Sequence, residues 1–351
     1  MPALMSIGWL NLDPNMSNLL RVAVFGAGHM GRHHARIYSE LPDVELVGIV
    51  DTDPTRAAEL ASKCGTNPVA SAGELIGKID AASIAVPTVY HAEVSKPLLE
   101  AGIALLIEKP LAPDSTVGRQ LVEWAREHNC VLAVGHSERF NPIVQAMNRM
   151  KIKPKFIDAQ RVSPFRFRSA DIGVVFDLMI HDIDIVLHLV RSRNYEVRAV
   201  GVNVLGEHED IANARVEFDN GAVANLTASR LALKTDRRIR VFSSEAYLSM
   251  DFQRRTGIAV KMDKNLDILQ MARERDLSDL SEMQNVDFGS LLNVEPLEVD
   301  DVEPLRAEIE SFLQSVRTSE TPEVSAEDGL AAVELAEAIV AAVKQHQWDR
   351  G

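Results

Sequence analysis

Cysteine is nearly absent: Cys64 and Cys130 are the only two in 351 residues, and neither has a metal-type spacing. No disulfide framework and no zinc site is expected, only two reduced core thiols. Cations are also short. Lys and Arg number 37 against 51 Asp and Glu, a net charge of −14. A nucleic-acid or anionic-membrane surface needs clustered cations, so neither partner is expected. No apolar run approaches the length of a membrane span. Residues 1–20 lack a basic start, a continuous apolar stretch and a small-residue cleavage site. They are expected to be an extension rather than a secretory leader, which makes the cytoplasm the expected compartment. No internal repeat is visible. The remaining composition, 46% apolar and 25% charged, is that of an ordinary globular protein long enough for two domains.

The richest stretch is Arg21–Gly31, RVAVFGAGHMG, which reads as a strand turning through glycines into a helix. Gly26 makes the tight turn, Gly28 lets backbone approach a pyrophosphate, and Gly31 permits close helix–strand packing. His29 and Met30 open the helix, whose free N–H groups and positive dipole end suit phosphates. Asp51 ends the next apolar run, Val44–Val50, where a carboxylate can accept from ribose hydroxyls. A 2′-phosphate there would meet a fixed like charge, and Thr52 and Asp53 follow rather than an arginine. NAD is therefore expected over NADP, with Arg56 the one feature favouring the latter.

Alternation then continues. Helices are expected over Pro54–Cys64, His91–Ala101 and Val117–His128, the last capped by Asp114. Strands are expected over Pro68–Ala70, Ala81–Val86, Ile103–Ile107 and Val131–Val134. This pattern implies an α/β fold, a doubly wound parallel sheet covered on both faces, over residues 21–142. Residues 143–351 change character. Strands are expected over Phe156–Val162, Val197–Leu205, Ala212–Phe218, Ala222–Ala228, Arg238–Phe242 and Ile258–Met262. Asp219-Asn220-Gly221 supplies hairpin chemistry. Residues 263–300 read as loop, and helices over Glu303–Arg317 and Ala326–His346 close the chain. The second domain is thus expected to be a large, mostly antiparallel open sheet with helices on one face, leaving the other for a partner subunit.

Between the strands lies Gly173–Val190, an almost wholly apolar helix in which Asp177, His181, Asp184 and His188 recur four, three and four apart. Buried polar groups must be paired or face a cleft. The stripe fits a satisfied core network, a metal site or a catalytic wall with His181 as general base oriented by Asp177. Glu108-Lys109-Pro110 follows a strand, at the edge where open α/β sheets bind ligands. A lysine there can stabilise a developing alkoxide. Upstream of the stripe, Arg161, Arg166 and Arg168 form a basic run suited to bidentate phosphate binding, or equally to a solvated strand or interface.

Together GAGHMG with Asp51, EKP at 108–110 and DLMIHDID at 177–184 resemble the glucose–fructose oxidoreductase/inositol dehydrogenase/rhizopine-catabolism (Gfo/Idh/MocA) family. The resemblance implies a Rossmann domain before an α/β domain whose open sheet makes a homodimer or homotetramer. It implies Lys109, Asp177 and His181 as catalytic residues. It implies nicotinamide and ribose contacts from Val86, Pro87, Thr88, His91 and Glu108, with NAD as cofactor and no metal. GHSERFNP at 135–142 and DLMIHDIDIVLHL at 177–189 resemble the nucleotide-sugar branch. That implies oxidation of a sugar secondary alcohol to a ketone, with Arg161, Arg166, Arg168 and Asp184 toward the substrate. Another sugar, inositol or a UDP-sugar acid is the alternative substrate, and a non-catalytic NAD-sensing regulator the alternative of another kind.

Overall fold

A computed structural model describes residues 19–165, 172–262 and 292–348. Six strands form the first sheet: β1 (Leu20–Phe25), β2 (Val44–Val50), β3 (Asn67–Val69), β4 (Ala81–Ile84), β5 (Ala104–Glu108) and β6 (Leu132–Gly135). They are all parallel, in the order β3-β2-β1-β4-β5-β6. The order reverses between β1 and β4, and that reversal opens a ligand crevice at the carboxyl ends of the strands. The strands are joined through α1 (His29–Glu40), α2 (Pro54–Cys64), α3 (His91–Glu100) and α4 (Ser115–Glu127). Local chemistry sets the helix ends. Asp53 caps α2 by accepting from the Thr55 and Arg56 amides, and Gly65 closes it at φ +67°. Asp114 accepts from the Val117 amide to start α4, as its position in the sequence suggests. Every residue of β4, β5 and β6 is buried, as in a sheet covered on both faces.

The second sheet has eight strands in the order β14-β13-β12-β11-β7-β10-β9-β8. These are β7 (Phe156–Val162), β8 (Tyr195–Val202), β9 (Ile211–Phe218), β10 (Val223–Ser229), β11 (Asp236–Phe242), β12 (Tyr247–Asp251), β13 (Thr256–Met262) and β14 (Leu292–Pro296). Its pairs are antiparallel except β7 with β10. β9 alternates exposed and buried along its whole length, and its inward side chains Ala212, Ala214, Val216 and Phe218 join the core. That core also receives α5 (Pro142–Arg149), α6 (Ile180–Val190) and part of α8 (Ala326–Gln345).

The helix expected over Gly173–Val190 is present without a break over 174–190, but Val175–Met179 form a π-helical turn that leads into α6. Strands β12 and β14 and helix α5 were not expected. β14 corrects part of the loop expected over 263–300, whose residues 263–291 lie outside the described residues. The closing helices, α7 (Pro304–Thr318) and α8, also reach the first sheet, α8 packing on both. Ile309, Phe312 and Leu313 pack with Val22, Val24 and Leu106 of the first sheet, while Val324, Ala326 and Val333 pack with Leu105, Ile107 and Val134.

Candidate active site

A cavity of ≈ 890 Å³ lies over the carboxyl ends of the first sheet. The glycine turn forms one end. Gly26 has φ +99°, and a Cβ there would strike the Ala85 carbonyl; a Cβ on Gly31 would strike the Gly26 carbonyl. Gly28 is different, since a Cβ there would meet nothing within 4 Å. Helix α1 starts at this turn with no capping side chain and no acid in its first turn, so its first N–H groups are available to an anion. Asp51 is fixed alongside: its Oδ2 accepts from the Ala27 amide at 2.6 Å and its Oδ1 from the Asp53 amide at 2.8 Å. A carboxylate has about four acceptor sites, so capacity for ribose hydroxyls remains. Arg56 also lines this corner and pairs with Asp53 at 3.2 Å. These residues fit NAD: the turn and α1 would hold the pyrophosphate, and Asp51 the ribose. His29, Met30, Val86, Pro87, Glu108 and Lys109 line the same cavity, whereas Gly31 lies behind it in the packed turn.

Two residues expected on the cofactor do not reach the wall. His91 is 1% exposed, with Nδ1 3.1 Å from the Leu111 carbonyl and Nε2 3.1 Å from the Val86 carbonyl. It ties the loop after β4 to the segment after Pro110, and burial lowers its imidazole below the ordinary value. Thr88 is likewise absent from the lining, which takes Tyr90, Glu93 and Val94 instead.

Lys109, Asp177 and His181 do meet on one wall. Lys109 Nζ donates to the Asp177 backbone carbonyl at 3.1 Å, which joins β5 to the π-helical turn. His181 lies one turn on. Burial first, then the charges of Lys109 and Arg161, hold its imidazole well below the ordinary value near 6.5. It is therefore neutral at neutral pH and able to accept a proton. Its Nδ1 is buried and meets no hydrogen-bond partner among the described residues, so the Nε2 edge faces the cavity. The expected orientation of His181 by the Asp177 side chain is not seen as a hydrogen bond. Asp177 acts on the site through its backbone carbonyl on Lys109.

The rest of the stripe turns away from the cavity. Arg139 binds Asp184 with two hydrogen bonds, Nε to Oδ2 at 2.9 Å and Nη2 to Oδ1 at 2.5 Å, and lies 2.7 Å from His188 Nδ1. Arg161 is 2% exposed and is held by Asp182, at 2.8 Å, and Glu138, at 2.9 Å. Arg161 and Asp184 are thus placed inside ion pairs, not toward a substrate. Burial forces this, because an unpaired charge in such a site would be strongly destabilising. Arg166 and Arg168 lie outside the described residues. Sequence reasoning missed two cations that do line the cavity, Arg230 and Arg237, together with Ser163 and Pro164. Arg230 follows β10 and pairs with Asp210 at 2.5 Å, and Arg237 on β11 lies 3.6 Å from Glu138. Only the pairing of β10 and β11 to either side of β7 brings them to Lys109, and nothing in their local sequence signals it.

Comparison with known proteins agrees with this geometry. The family model of the Gfo/Idh/MocA oxidoreductases matches residues 20–136 as an NAD-binding Rossmann fold, and a second matches 158–348 as the family's C-terminal α/β domain. UDP-N-acetylglucosamine 3-dehydrogenase of Acidithiobacillus ferrooxidans is 39% identical over 238 residues, covering 68% of this chain and 75% of that protein. Its solved structure aligns with a TM-score of 0.83 at 32% identity, over 93% of this chain and 98% of that one. Inositol 2-dehydrogenase of Rhizobium meliloti is 25% identical over 343 residues, covering 93% and 97%. With the glycine turn, Asp51 and the Lys109–His181 wall in one cavity, this chain belongs to the Gfo/Idh/MocA oxidoreductase family and takes NAD as its cofactor.

Proposed function

We propose that this protein oxidises the 3-hydroxyl of UDP-N-acetylglucosamine to a ketone, in the cytoplasm, as a step toward the 2,3-diamino sugars of lipid A. The observation that carries the reaction class is the wall on which Lys109 and the neutral His181 stand together, facing the glycine turn across one cavity. NAD, when bound, supplies the hydride acceptor. His181 takes the hydroxyl proton at Nε2, and Lys109 Nζ stabilises the alkoxide as it develops. The Asp177 carbonyl holds the lysine in place. Arg237, with its side chain 39% exposed on the cavity wall, suits the diphosphate of a nucleotide sugar, while Arg230 is held by Asp210. The named relative in Acidithiobacillus ferrooxidans supports that substrate.

The expected assembly is a homodimer or homotetramer through the outer face of the second sheet. An apolar row crosses that face in register: Phe156 lies opposite Phe242, Phe242 opposite Tyr247, Tyr247 opposite Val260 and Val260 opposite Val294. Phe242 is 39% exposed and Val294 51%.

The decisive experiment is single-turnover NADH formation with a panel of UDP-sugars, free sugars and inositols. UDP-N-acetylglucosamine should give the burst, and UDP alone should compete with it. His181→Asn and Lys109→Met should each lower the rate by about 10²–10⁴-fold with NAD affinity unchanged. A burst with inositol and none with UDP-sugars would replace the substrate while keeping the chemistry.

A further inference from the structure

Glu308 on α7 is 2% exposed, and neither carboxyl oxygen meets a hydrogen-bond donor among the described residues. His34 on α1 and Glu108 on β5 place nitrogen and oxygen atoms within 4.8 Å of it and of each other. His34 Nε2 lies 2.9 Å from Glu108 Oε1, and its Nδ1 lies 2.9 Å from Ser83 Oγ, which in turn is 2.8 Å from the Tyr38 hydroxyl. Glu108 ends this buried row at the cavity wall. The reaction described above uses none of Glu308, His34, Ser83 or Tyr38.

Two chemistries could gather two carboxyls and an imidazole in a buried site, a divalent cation or a retained proton. Ligands about 2.0–2.1 Å from a tetrahedral ion stand roughly 3.3 Å apart. The 2.9 Å between His34 and Glu108 is instead the length of a hydrogen bond. An ionised Glu308 with no donor, beside a second carboxylate, is strongly disfavoured. We propose that Glu308 is a positioning residue of the dinucleotide site, holding beside the hydrogen-bonded pair of Glu108 and His34 an exchangeable proton that answers to the charge of the bound nicotinamide. Burial, with the charges of Glu108 and Asp184, raises the Glu308 carboxyl well above the ordinary range. Glu108 is held below its own ordinary value by His34 and Lys109, although burial opposes them. The proton therefore rests on Glu308, and Glu108 presents a negative charge to the cavity.

The charged and titratable groups packed against α7 come from three elements. Helix α1 brings His34 and Tyr38 to the buried side of α7 and Arg36 and Glu40 to Glu303 and Arg306 at its start, with Asp43 just beyond α1 meeting Arg317. β5 brings Glu108, and the turn over Ser137–Phe140 carries Glu138 and Arg139. Asp184 adds its negative charge from α6. The oxidised nicotinamide ring is positive and the reduced ring neutral. A positive ring beside Glu108 favours fewer protons in the trio; its loss favours more. The inference rests on NAD binding and is independent of which sugar is oxidised.

Titration calorimetry of the full chain with NAD and with NADH, in buffers of different ionisation enthalpy, counts the protons taken up with each. The wild type should take up more with NADH. Its preference for NADH should then weaken as pH rises, by up to about tenfold per unit for one linked proton. Glu308→Gln, matched in shape but without the exchangeable proton, should erase the difference, and Glu308→Leu should do the same. Equal uptake with both forms in the wild type would overturn the proposal. So would a difference that persists in both variants, or a stoichiometric divalent metal in the purified wild type that is lost in Glu308→Gln.

Discussion

His181 is useful because it is hard to protonate. Burial and the neighbouring cations Lys109 and Arg161 keep its imidazole neutral well below the ordinary value near 6.5. Two consequences share a sign. The neutral form is the base, so the acid limb of kcat/KM against pH should lie well below 6.5 and should disappear in His181→Asn. The folded state also resists protonation that the unfolded chain accepts. The stability from this group is therefore complete above about 6.5 and is lost as pH falls toward the depressed value. Chemical denaturation at several acid pH values should show wild type losing stability faster than His181→Asn. His136, 1% exposed with neither ring nitrogen partnered among the described residues, has its imidazole lowered in the same direction by burial and adds to that slope in both proteins.

At the scale of elements, the glycine turn separates folding from binding within a few residues. Gly31→Ala would drive a methyl into the Gly26 carbonyl and force α1 away from β1, so it should lower the melting temperature without any ligand. Gly28→Ala has room in the empty protein, but its methyl stands where phosphate oxygens belong. It should melt like wild type alone and lose the stabilisation that NAD gives. Thermal melts with and without NAD separate the two. This turn was legible in the sequence because each glycine answers a local steric need and the strand and helix periods flank it. α2 was legible to the residue for the same kind of reason, with Asp53 and Pro54 at one end and Gly65 at the other. The polar stripe was half legible. Its spacing put Asp177 and His181 on one face, and both line the cavity, but the partners Arg139 and Arg161 make Asp184 and Asp182 core charges. Helical spacing reports a face and not what the face meets. Arg230, Arg237 and Glu308 were illegible, because each reaches its place only through strand order or through the return of α7.

For the molecule as a whole, the outer face of the second sheet is the surface on which the proposed assembly can be tested. The row from Phe156 to Val294 is apolar in five adjacent strands, whereas Asn213 and Arg215 on β9 and Asn225 on β10 make the other end polar. Phe242→Glu should leave the monomer folded, since the side chain is already half in solvent, and should shift sedimentation toward the monomer. Unchanged sedimentation would rule out this face as the interface, and a monomeric wild type would overturn the proposed assembly.

The return of α7 and α8 to the first sheet carries a consequence for how the chain is born. The sheet that binds NAD leaves the ribosome before the second sheet, yet side chains that complete its two cores, Phe312 in one and Val333 in the other, are among the last to be made. Helices α1 to α4 cover much of that sheet as they are made, but both cores stay incomplete until α7 and α8 dock, and Glu308 reaches His34 only then. The oldest part of the nascent chain is thus the last to be finished, and the cofactor site matures at the moment the second half closes over the first.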